Sequence, residues 1–402
     1  MVNIEHRPRA VLVSYALQGH LNPSVHLAIN LASRSFTMTF INTLPMHSQL
    51  TSTVGGGGEG DIFSIARQSG LDIRYVNVSD GFSLRFNRSL HHDQLMAALL
   101  HVFSAYVEET INEIVINGQP AVNWLIADTY FVWPGNMAKK FGLVFVFWTE
   151  VALIFTLYYH IDLLRFNGHF GCIDIREDKI NYILGVKSIE LKDLTSYLQQ
   201  MDTTLVCHQI IYQAFKDAKN ADFVLCNTAQ ELKPETISAL QEKIPFFTVG
   251  PLFSTGFDKI RVSMSLWAES NCSHWLDSKP LGSIFNVDFF GLLRPDIVSS
   301  GEENLLPDAF REAILDRGMI VLWCWQIEVL AHSAIKYKVR LTKDEVAKKI
   351  SQLMVGKTRD DGRLAIKKVK IIFEKALAAD GSPDKNIGHF LKEIGDKIRQ
   401  KR

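Results

Sequence analysis

Short apolar runs alternate with amphipathic stretches through the first 250 residues of the chain. The runs are rich in β-branched and aromatic residues, which is typical of buried strands. The predicted strands are Ala10–Ser14, Thr37–Asn42, Leu71–Val76, Trp124–Asp128, Val144–Trp148 and Phe223–Asn227. Between most of them the apolar positions recur at helical spacing, most clearly in Leu95–Ile116 and Cys207–Lys219. Strands that alternate with helices predict an α/β protein with a parallel, doubly wound sheet.

A proline predicts where one helix of this half starts, and a run of glycines predicts a loop. Asn22–Pro23 predicts the start of a helix that extends to about Ser33, with proline in the first turn, where its missing N–H costs nothing. The run Gly55–Gly60 is too dense in glycine for a helix or a strand. Since no Lys-Ser/Thr helix start follows it, we predict a flexible surface loop rather than a phosphate-binding loop.

Thr248–Leu252 closes a strand and is the strongest candidate for a domain boundary. Beyond it, Ser283–Val287 and Gly318–Trp323 predict two more strands, and the alternation then stops. The remaining residues predict three helices, namely Thr342–Gly356, Arg363–Ala379 and Lys385–Gln400. We therefore predict a first domain over 1–250, a second domain over 251–384 that is short of strands, and a final helix in 385–402 that packs back on the first domain.

Composition excludes several classes of protein. The 43 basic and 43 acidic residues balance, so the whole chain does not indicate a partner such as nucleic acid or an anionic membrane. The basic residues in excess after Lys336 lie on amphipathic helices, where a solvated face is the expected interpretation. The five cysteines are scattered without a CxxC pair, which argues against a disulfide framework and a zinc site.

The longest apolar window, Phe141–Leu164, has Thr149 and Glu150 at its centre. A carboxylate there is costly in hydrocarbon, so a buried strand followed by a helix is predicted instead of a membrane span. The first nine residues are polar and charged, and no secretory leader is expected. A cytoplasmic location and a monomer are the resulting expectations.

Two residues at strand ends are candidates for catalysis. His20 follows the first strand and Asp128 closes the Trp124–Asp128 strand, and ligands bind at this carboxyl edge in doubly wound sheets. An imidazole suits general-base work near neutral pH, and a carboxylate can orient it. Helix capping by each residue is the alternative. Because no nucleophile motif accompanies the pair, deprotonation of a substrate hydroxyl is favoured over covalent catalysis.

His91, His92 and Asp93 resemble a metal cluster only in composition. Adjacent residues on a helix point in different directions, so these three are not expected to chelate one ion. No metal site is predicted.

Several motifs resemble the acceptor domain of plant family-1 UDP-glycosyltransferases. They lie between about residue 8 and residue 290 and reappear in pieces towards the C-terminus. The motifs are Gly19–Pro23, Ser79–Phe82, Ala127–Asp128, Phe147–Glu150, Cys226–Thr228, Val249–Leu252 and Cys272 with Trp275–Asp277. The resemblance implies the GT-B fold of two Rossmann-like domains and transfer of a sugar, usually glucose, from a UDP-sugar to a small lipophilic acceptor with inversion. UDP-sugar is then a co-substrate, and no cofactor or metal is implied.

The resemblance also assigns roles to residues. His20 matches the catalytic base and Asp128 its supporting carboxylate. Phe82, Phe147 and Trp148 are candidates for the acceptor pocket, although aromatic residues there are also typical of core. Thr149 matches a position that can contact the donor sugar, and it is equally a candidate N-cap. Trp323, Cys324 and Gln326 match the start of the donor-binding box, where the tryptophan stacks on uracil.

The donor side departs from the family pattern after His332. The family continues with His-Cys-Gly-Trp-Asn-Ser, an acidic ribose ligand and an acidic-Gln pair, whereas this chain reads Ser-Ala-Ile-Lys. A second gap is predicted within Val287–Asp296. One stacking tryptophan contributes about 1–3 kcal/mol and one hydrogen bond about 1 kcal/mol, against roughly 8 kcal/mol for micromolar binding. Two hypotheses follow: a glycosyltransferase, or a catalytically impaired remnant that keeps the acceptor domain but cannot hold UDP-sugar.

Overall fold

The computed structural model describes residues 8–53, 61–117, 121–149, 151–171, 178–252, 357–378 and 381–401, together with short pieces between 270 and 334. Its strands are β1 (Arg9–Val13), β2 (Thr37–Thr43), β3 (Ile73–Val78), β4 (Val122–Asp128), β5 (Val144–Thr149), β6 (Lys179–Ile180), β7 (Ile189–Glu190), β8 (Phe223–Cys226), β9 (Phe246–Thr248), β10 (Phe289–Leu292) and β11 (Gly318–Val321).

The α-helices of the described residues are α1 (Gln18–Ser33), α2 (Leu44–Thr53), α3 (Ser64–Gln68), α4 (His92–His101), α5 (Phe103–Asn117), α6 (Pro134–Lys140), α7 (Ala152–Tyr159), α8 (Ile161–Phe166), α9 (Ser196–Gln199), α10 (Val206–Ala218), α11 (Pro234–Gln241), α12 (Ser273–Asp277), α13 (Lys357–Ala376) and α14 (Ser382–Lys401). Leu191–Asp193 and Gln230–Leu232 are short 3-10 helices.

Seven strands form one parallel sheet in the order β3-β2-β1-β4-β5-β8-β9. The strand order reverses at β1, which pairs with β2 on one side and with β4 on the other. Such a reversal opens a crevice at the carboxyl ends of the two strands, where doubly wound sheets bind ligands. The topology therefore places the candidate site after β1 and β4.

Both faces of this sheet are buried. In β1, Val11 and Val13 belong to one core, while Ala10 and Leu12 belong to the core on the other face. The first core is covered by helices that include α5, α7 and α10, and the second is covered by α1, α2 and α14. A parallel sheet with helices on both faces has near-continuous apolar strands, which explains why the runs in the sequence lack alternation.

The six strands predicted for this half are present, each within two residues at its ends. The first helix, however, begins at Gln18 rather than at Pro23, which lies inside it. The helix continues past the proline because only one backbone hydrogen bond is lost there, while Leu21, Val25 and Ala28 are fully buried along the same helix.

The predicted helix Leu95–Ile116 is two helices, α4 and α5, separated at Val102. Val102 keeps helical dihedral angles of φ −94° and ψ −45°. The hydrophobic spacing is therefore continuous across the division, and periodicity gives no sign of it.

The last helix, α14, packs on the sheet of the N-terminal half. Phe390 is fully buried, with ring centroids 5.6 Å from those of Trp124, Phe223 and Phe247. Asn386 Nδ2 donates to the carbonyl of Thr248 at 2.9 Å and to its hydroxyl at 2.8 Å. These contacts make the C-terminal helix part of the second core.

The described pieces between residues 270 and 334 share a small apolar core of their own. Strands β10 and β11 pair in parallel there. The core residues are Cys272, Leu276, Ile284, Val321, Cys324, Val329 and Ala334. The predicted loop Gly55–Gly60, the predicted helix Thr342–Gly356 and most of the predicted strand Ser283–Val287 lie outside the described residues.

The window Phe141–Leu164 holds strand β5 and the helices α7 and α8. Across the part of the chain that the structure describes, no helix has the length and apolar character needed to cross a membrane.

Candidate functional site

His20 and Asp128 meet at the carboxyl edge of the sheet. His20 lies in the first turn of α1 and its N–H donates to the carbonyl of Leu17 at 3.0 Å. Asp128 is the last residue of β4. The His20 Nδ1 and Asp128 Oδ1 atoms are 2.8 Å apart, with the carboxylate side chain 2% exposed and the imidazole 16% exposed. The two residues predicted from strand ends thus form a hydrogen-bonded pair of a buried carboxylate and a half-buried imidazole.

This geometry assigns the imidazole its tautomer. An ionised carboxylate only accepts hydrogen bonds, so Nδ1 carries the proton and donates it to Asp128. The basic lone pair is then on Nε2. A base held in this way can take a proton from a bound hydroxyl, and the adjacent carboxylate stabilises the imidazolium that forms.

Two aromatic rings pack against the imidazole of His20. The Tyr15 and Tyr130 ring centroids each lie 5.3 Å from that of His20. The Tyr15 hydroxyl donates to Met96 Sδ at 2.6 Å, and its ring packs on Phe131 at 5.4 Å. Burial, with a smaller contribution from the nearby Asp128 charge, raises the pKa of Tyr15 well above its usual range. Tyr15 therefore stays protonated, which leaves the histidine as the candidate base of this group.

An ion pair supports the loop that carries Phe82. Arg88 donates to both carboxylate oxygens of Asp80, at 2.6 Å and 3.0 Å, and Asp80 is 1% exposed. Asp80 also accepts the N–H of Phe82 at 3.2 Å, which fixes the turn at Gly81 (φ +91°). The Phe82 ring stacks on Phe86 with centroids 4.1 Å apart. The motif Ser79–Phe82 is thus explained by a turn that presents a half-buried aromatic pair.

Phe147 and Trp148 lie in the two cores. Phe147 is 1% exposed and packs on Phe155 and Phe215 in the first core. Trp148, also 1% exposed, belongs to the second core and donates its indole N–H to Ser24 Oγ at 3.2 Å. Their placement favours the core alternative for both residues.

Thr149 ends β5 at the carboxyl edge of the sheet. It is 4% exposed, and its carbonyl accepts the N–H of Asn227 at 2.8 Å. The following helix, α7, has Val151 at its N-cap position and no side-chain capping bond. The N-cap interpretation of Thr149 is therefore wrong, because the strand ends two residues too early for its side chain to reach that position.

The predicted donor residues follow β11. Trp323 is half-buried and its carbonyl accepts the N–H of Ser270 at 3.0 Å. Cys324 is buried in the small C-terminal core. His332 Nε2 lies 3.1 Å from Asp277 Oδ1, so it links the end of the predicted box to the Trp275–Asp277 motif. Gln326 lies outside the described residues.

Tyr15, Tyr130 and Met96 were not predicted as neighbours of the base. Tyr15 follows the end of β1 by two residues, and Tyr130 follows Asp128 by two. The rule that selected His20 and Asp128 applies equally to them. Met96 gives no such signal, since its spacing is that of an ordinary core residue of α4.

Known proteins identify the family. UDP-glycosyltransferase 86A2 of Arabidopsis thaliana is 48% identical over 357 residues, which span 82% of this chain and 73% of the relative. UDP-glycosyltransferase 86A1 of the same plant is 40% identical over 474 residues, spanning 98% of this chain and 96% of the relative. The chain belongs to the plant family-1 UDP-glycosyltransferases. No family model matches it.

Solved structures of plant glycosyltransferases share the fold. UGT2 of Phytolacca americana, complexed with UDP-2fluoro-glucose and pterostilbene, superposes with a TM-score of 0.69 over 96% of this chain and 100% of that chain at 18% identity. Os79 from O. sativa, in complex with UDP, superposes with a TM-score of 0.72 over the same shares, also at 18% identity. The fold of this family-1 glycosyltransferase is accordingly GT-B.

The alignment with 86A1 is longer than this chain. It has 474 positions and the chain has 402 residues, so at least 72 aligned positions of that relative have no counterpart here. The alignment covers 98% of this chain and 96% of 86A1, so the positions without a counterpart lie inside the aligned region and not at its ends. This glycosyltransferase is therefore internally shorter than 86A1. The difference supports the internal deletions predicted from the motifs.

Proposed function

We propose that this glycosyltransferase transfers glucose from UDP-glucose to a hydroxyl group of a small lipophilic acceptor, with inversion at the anomeric carbon. The observation that carries the proposal is the 2.8 Å contact between His20 Nδ1 and Asp128 Oδ1 at the reversal point of the sheet. The family membership supplies the reaction class, and the pair supplies a base for it.

In the proposed reaction the acceptor hydroxyl lies against Nε2 of His20. Nε2 takes the hydroxyl proton as the oxygen attacks the anomeric carbon, the bond from that carbon to the UDP oxygen breaks, and UDP leaves with its electron pair. The Asp128 carboxylate balances the imidazolium charge throughout. Its 2% exposure strengthens that interaction, because little water screens it. The proposed reaction takes its base from the protein and involves no resident cofactor.

An apolar environment around the base favours a lipophilic acceptor. Tyr15 and Tyr130 pack against the imidazole, Phe131 packs on Tyr15, and the Phe82–Phe86 stack is half-buried on its loop. Sites that bind small apolar molecules are lined in this way, with few polar groups to fix orientation. Phe82 is the residue of the predicted acceptor set whose exposure fits direct contact with a ligand.

The second candidate is an acceptor-binding protein that does not turn over. The shortening by at least 72 aligned positions relative to 86A1 favours it, because the motifs place the missing residues in the donor-binding box. Departure of UDP is assisted mainly by electrostatic stabilisation of its phosphates. Trp323, Cys324 and Gln326 supply no positive charge for that purpose.

Isothermal titration with UDP-glucose and with UDP separates the two candidates. Micromolar binding of both nucleotides, followed by glucoside formation in a screen of phenolic and terpenoid alcohols, supports the transferase. The His20→Ala variant should then abolish product while UDP still binds. Absence of nucleotide binding at millimolar concentration, with an aglycone still binding and His20→Ala unchanged in that affinity, supports the acceptor-binding protein. Binding of neither ligand to a folded chain contradicts both.

A further inference from the structure

Three metal-ligating side chains converge outside the His20 pair. His92 and Asp93 are in the first turn of α4, and Cys207 is in the first turn of α10. One ligand atom from each side chain, a ring nitrogen, a carboxylate oxygen and Sγ, lies within 4.8 Å of the others. His92 and Asp93 are exposed and Cys207 is half-buried. The sequence separates Cys207 from the other two by more than 110 positions, so only the fold shows this group.

The cluster differs from the one that composition suggests. The imidazole of His91 stacks on the Phe86 ring, with centroids 5.2 Å apart, and is not one of the three groups. His92 and Asp93 are also adjacent on the helix, but their ligand atoms lie within 4.8 Å of each other and of Cys207 Sγ, which answers the objection that adjacent helical residues diverge. Here the third ligand comes from a different helix.

The distances suit a tetrahedral ion. Bonds of 2.0–2.3 Å from a central zinc place pairs of ligand atoms about 3.3–3.8 Å apart. The observed separations are within 4.8 Å, so binding requires the exposed His92 and Asp93 side chains to rotate towards the ion. The helices that carry these side chains are anchored in the first core. Their buried residues there include Leu95 and Met96 of α4 and Ile210 and Ile211 of α10.

We propose that His92, Asp93 and Cys207 bind a divalent cation of the zinc class. A thiolate and an imidazole are ligands for zinc, cobalt and cadmium, whereas magnesium and calcium prefer oxygen ligands alone. On binding, the S–H bond of Cys207 breaks, its proton leaves to solvent, and a metal–sulfur bond forms. Three protein ligands leave one tetrahedral position for water.

The ion would cross-link α4 to α10 beside the acceptor edge. The Tyr15 hydroxyl, next to His20, donates to Met96 on α4. A cation at the cluster therefore fixes two helices that, like Tyr15, pack in the first core, while the transfer reaction itself does not use it.

Cobalt absorption tests the site directly. The full-length chain is stripped with a chelator, kept reduced with a phosphine, and titrated with Co²⁺. We expect one equivalent to produce a thiolate-to-cobalt charge-transfer band and tetrahedral d–d bands, which one equivalent of Zn²⁺ then removes. A zinc-dependent rise in melting temperature should accompany binding, because the ion binds the folded state.

Variants locate the ion. Cys207→Ser should remove the charge-transfer band, and His92→Gln should weaken Co²⁺ binding roughly tenfold or more. His91→Gln is the matched control, since it removes an exposed neighbouring imidazole that lies outside the cluster, and it should bind as the parent does. Melting curves without metal check that all three variants fold.

The proposal is overturned if no thiolate band forms. It is equally overturned if the band survives Cys207→Ser, which would place the ion on another cysteine. Equal weakening by His91→Gln and His92→Gln would show diffuse binding to surface histidines and would also contradict it. None of these readouts depends on glycosyltransferase activity.

Discussion

Substituting Phe390 by alanine tests whether the C-terminal helix is part of the N-terminal fold. Phe390 is 0% exposed, and its ring lies 5.6 Å from three aromatic rings of the second core. Removing a buried phenylalanine side chain costs about 3–5 kcal/mol, through lost transfer free energy and the cavity that remains. That is a large fraction of the roughly 5–15 kcal/mol by which native domains are stable.

Urea unfolding measures the effect. Fluorescence of Trp124, which packs on Phe390, reports the second core, and far-ultraviolet circular dichroism reports the helices. We expect the midpoint of Phe390→Ala to fall with an unchanged slope, as for a loss of stability without a change in exposed surface. In a thermal melt the same loss corresponds to a decrease of about 6–20 °C.

Two neighbours on α14 provide controls. His389 is exposed, and His389→Ala should change the free energy of unfolding by less than about 0.5 kcal/mol. Gly388 has no atom within 4 Å of an added Cβ, so Gly388→Ala should stabilise the helix by about 0.5–1 kcal/mol. A loss below about 1 kcal/mol in Phe390→Ala, or one equal to that of His389→Ala, would refute the docking of this helix.

Three further predictions follow from the site and its supports. Asp128→Asn should lower kcat by roughly 10²–10⁴-fold in a glucoside assay, because the carboxylate no longer sets the imidazole tautomer; an unchanged rate would remove Asp128 from the mechanism. Gly81→Ala should destabilise the fold by about 1–3 kcal/mol in urea unfolding, since φ is +91° and the new Cβ lies 3.0 Å from Val102 Cγ1. Stability should also fall as pH decreases below about 6.5, because burial lowers the pKa of His160 and the unfolded chain then binds more protons. His160→Gln should flatten this dependence in melts between pH 7 and 5, and an unaltered slope would contradict the assignment.

The first half of the fold follows closely from the sequence. Strands such as Val144–Thr149 are recognisable because both of their faces are buried, which makes every position before Thr149 apolar. Helix boundaries are harder to predict from the sequence. The helix that begins at Gln18 contains Pro23, and the proline signal for a first turn is outweighed by burial of the residues that follow it. The start of this helix is set by tertiary packing, so it cannot be predicted from local helix propensity alone.

The candidate site divides in the same way. His20 and Asp128 are predictable because strand ends are positions along the chain, and the parallel topology brings strand ends together. The convergence of Cys207 on His92 and Asp93 is not predictable, because it depends on how α4 and α10 pack. Phe147 and Trp148 show a second limit of prediction from the sequence. An aromatic pair beside a site has the same sequence pattern whether it lines a pocket or fills a core.

The two halves of a glycosyl transfer place different demands on this chain. In the proposed reaction, activation of the acceptor needs a base, its carboxylate and an apolar wall, and the candidates for these roles lie between Tyr15 and Phe131, on a sheet whose two faces are covered. The helix α14 completes that cover from the C-terminus, so the second core of this sheet includes the last helix of the described residues. Stabilisation of departing UDP needs charge-complementary groups around its phosphates. If the positions missing relative to 86A1 belong to the donor-binding box, as the motifs predict, donor binding is weakened while the His20–Asp128 pair stays in place, and nucleotide affinity is then the quantity that decides turnover.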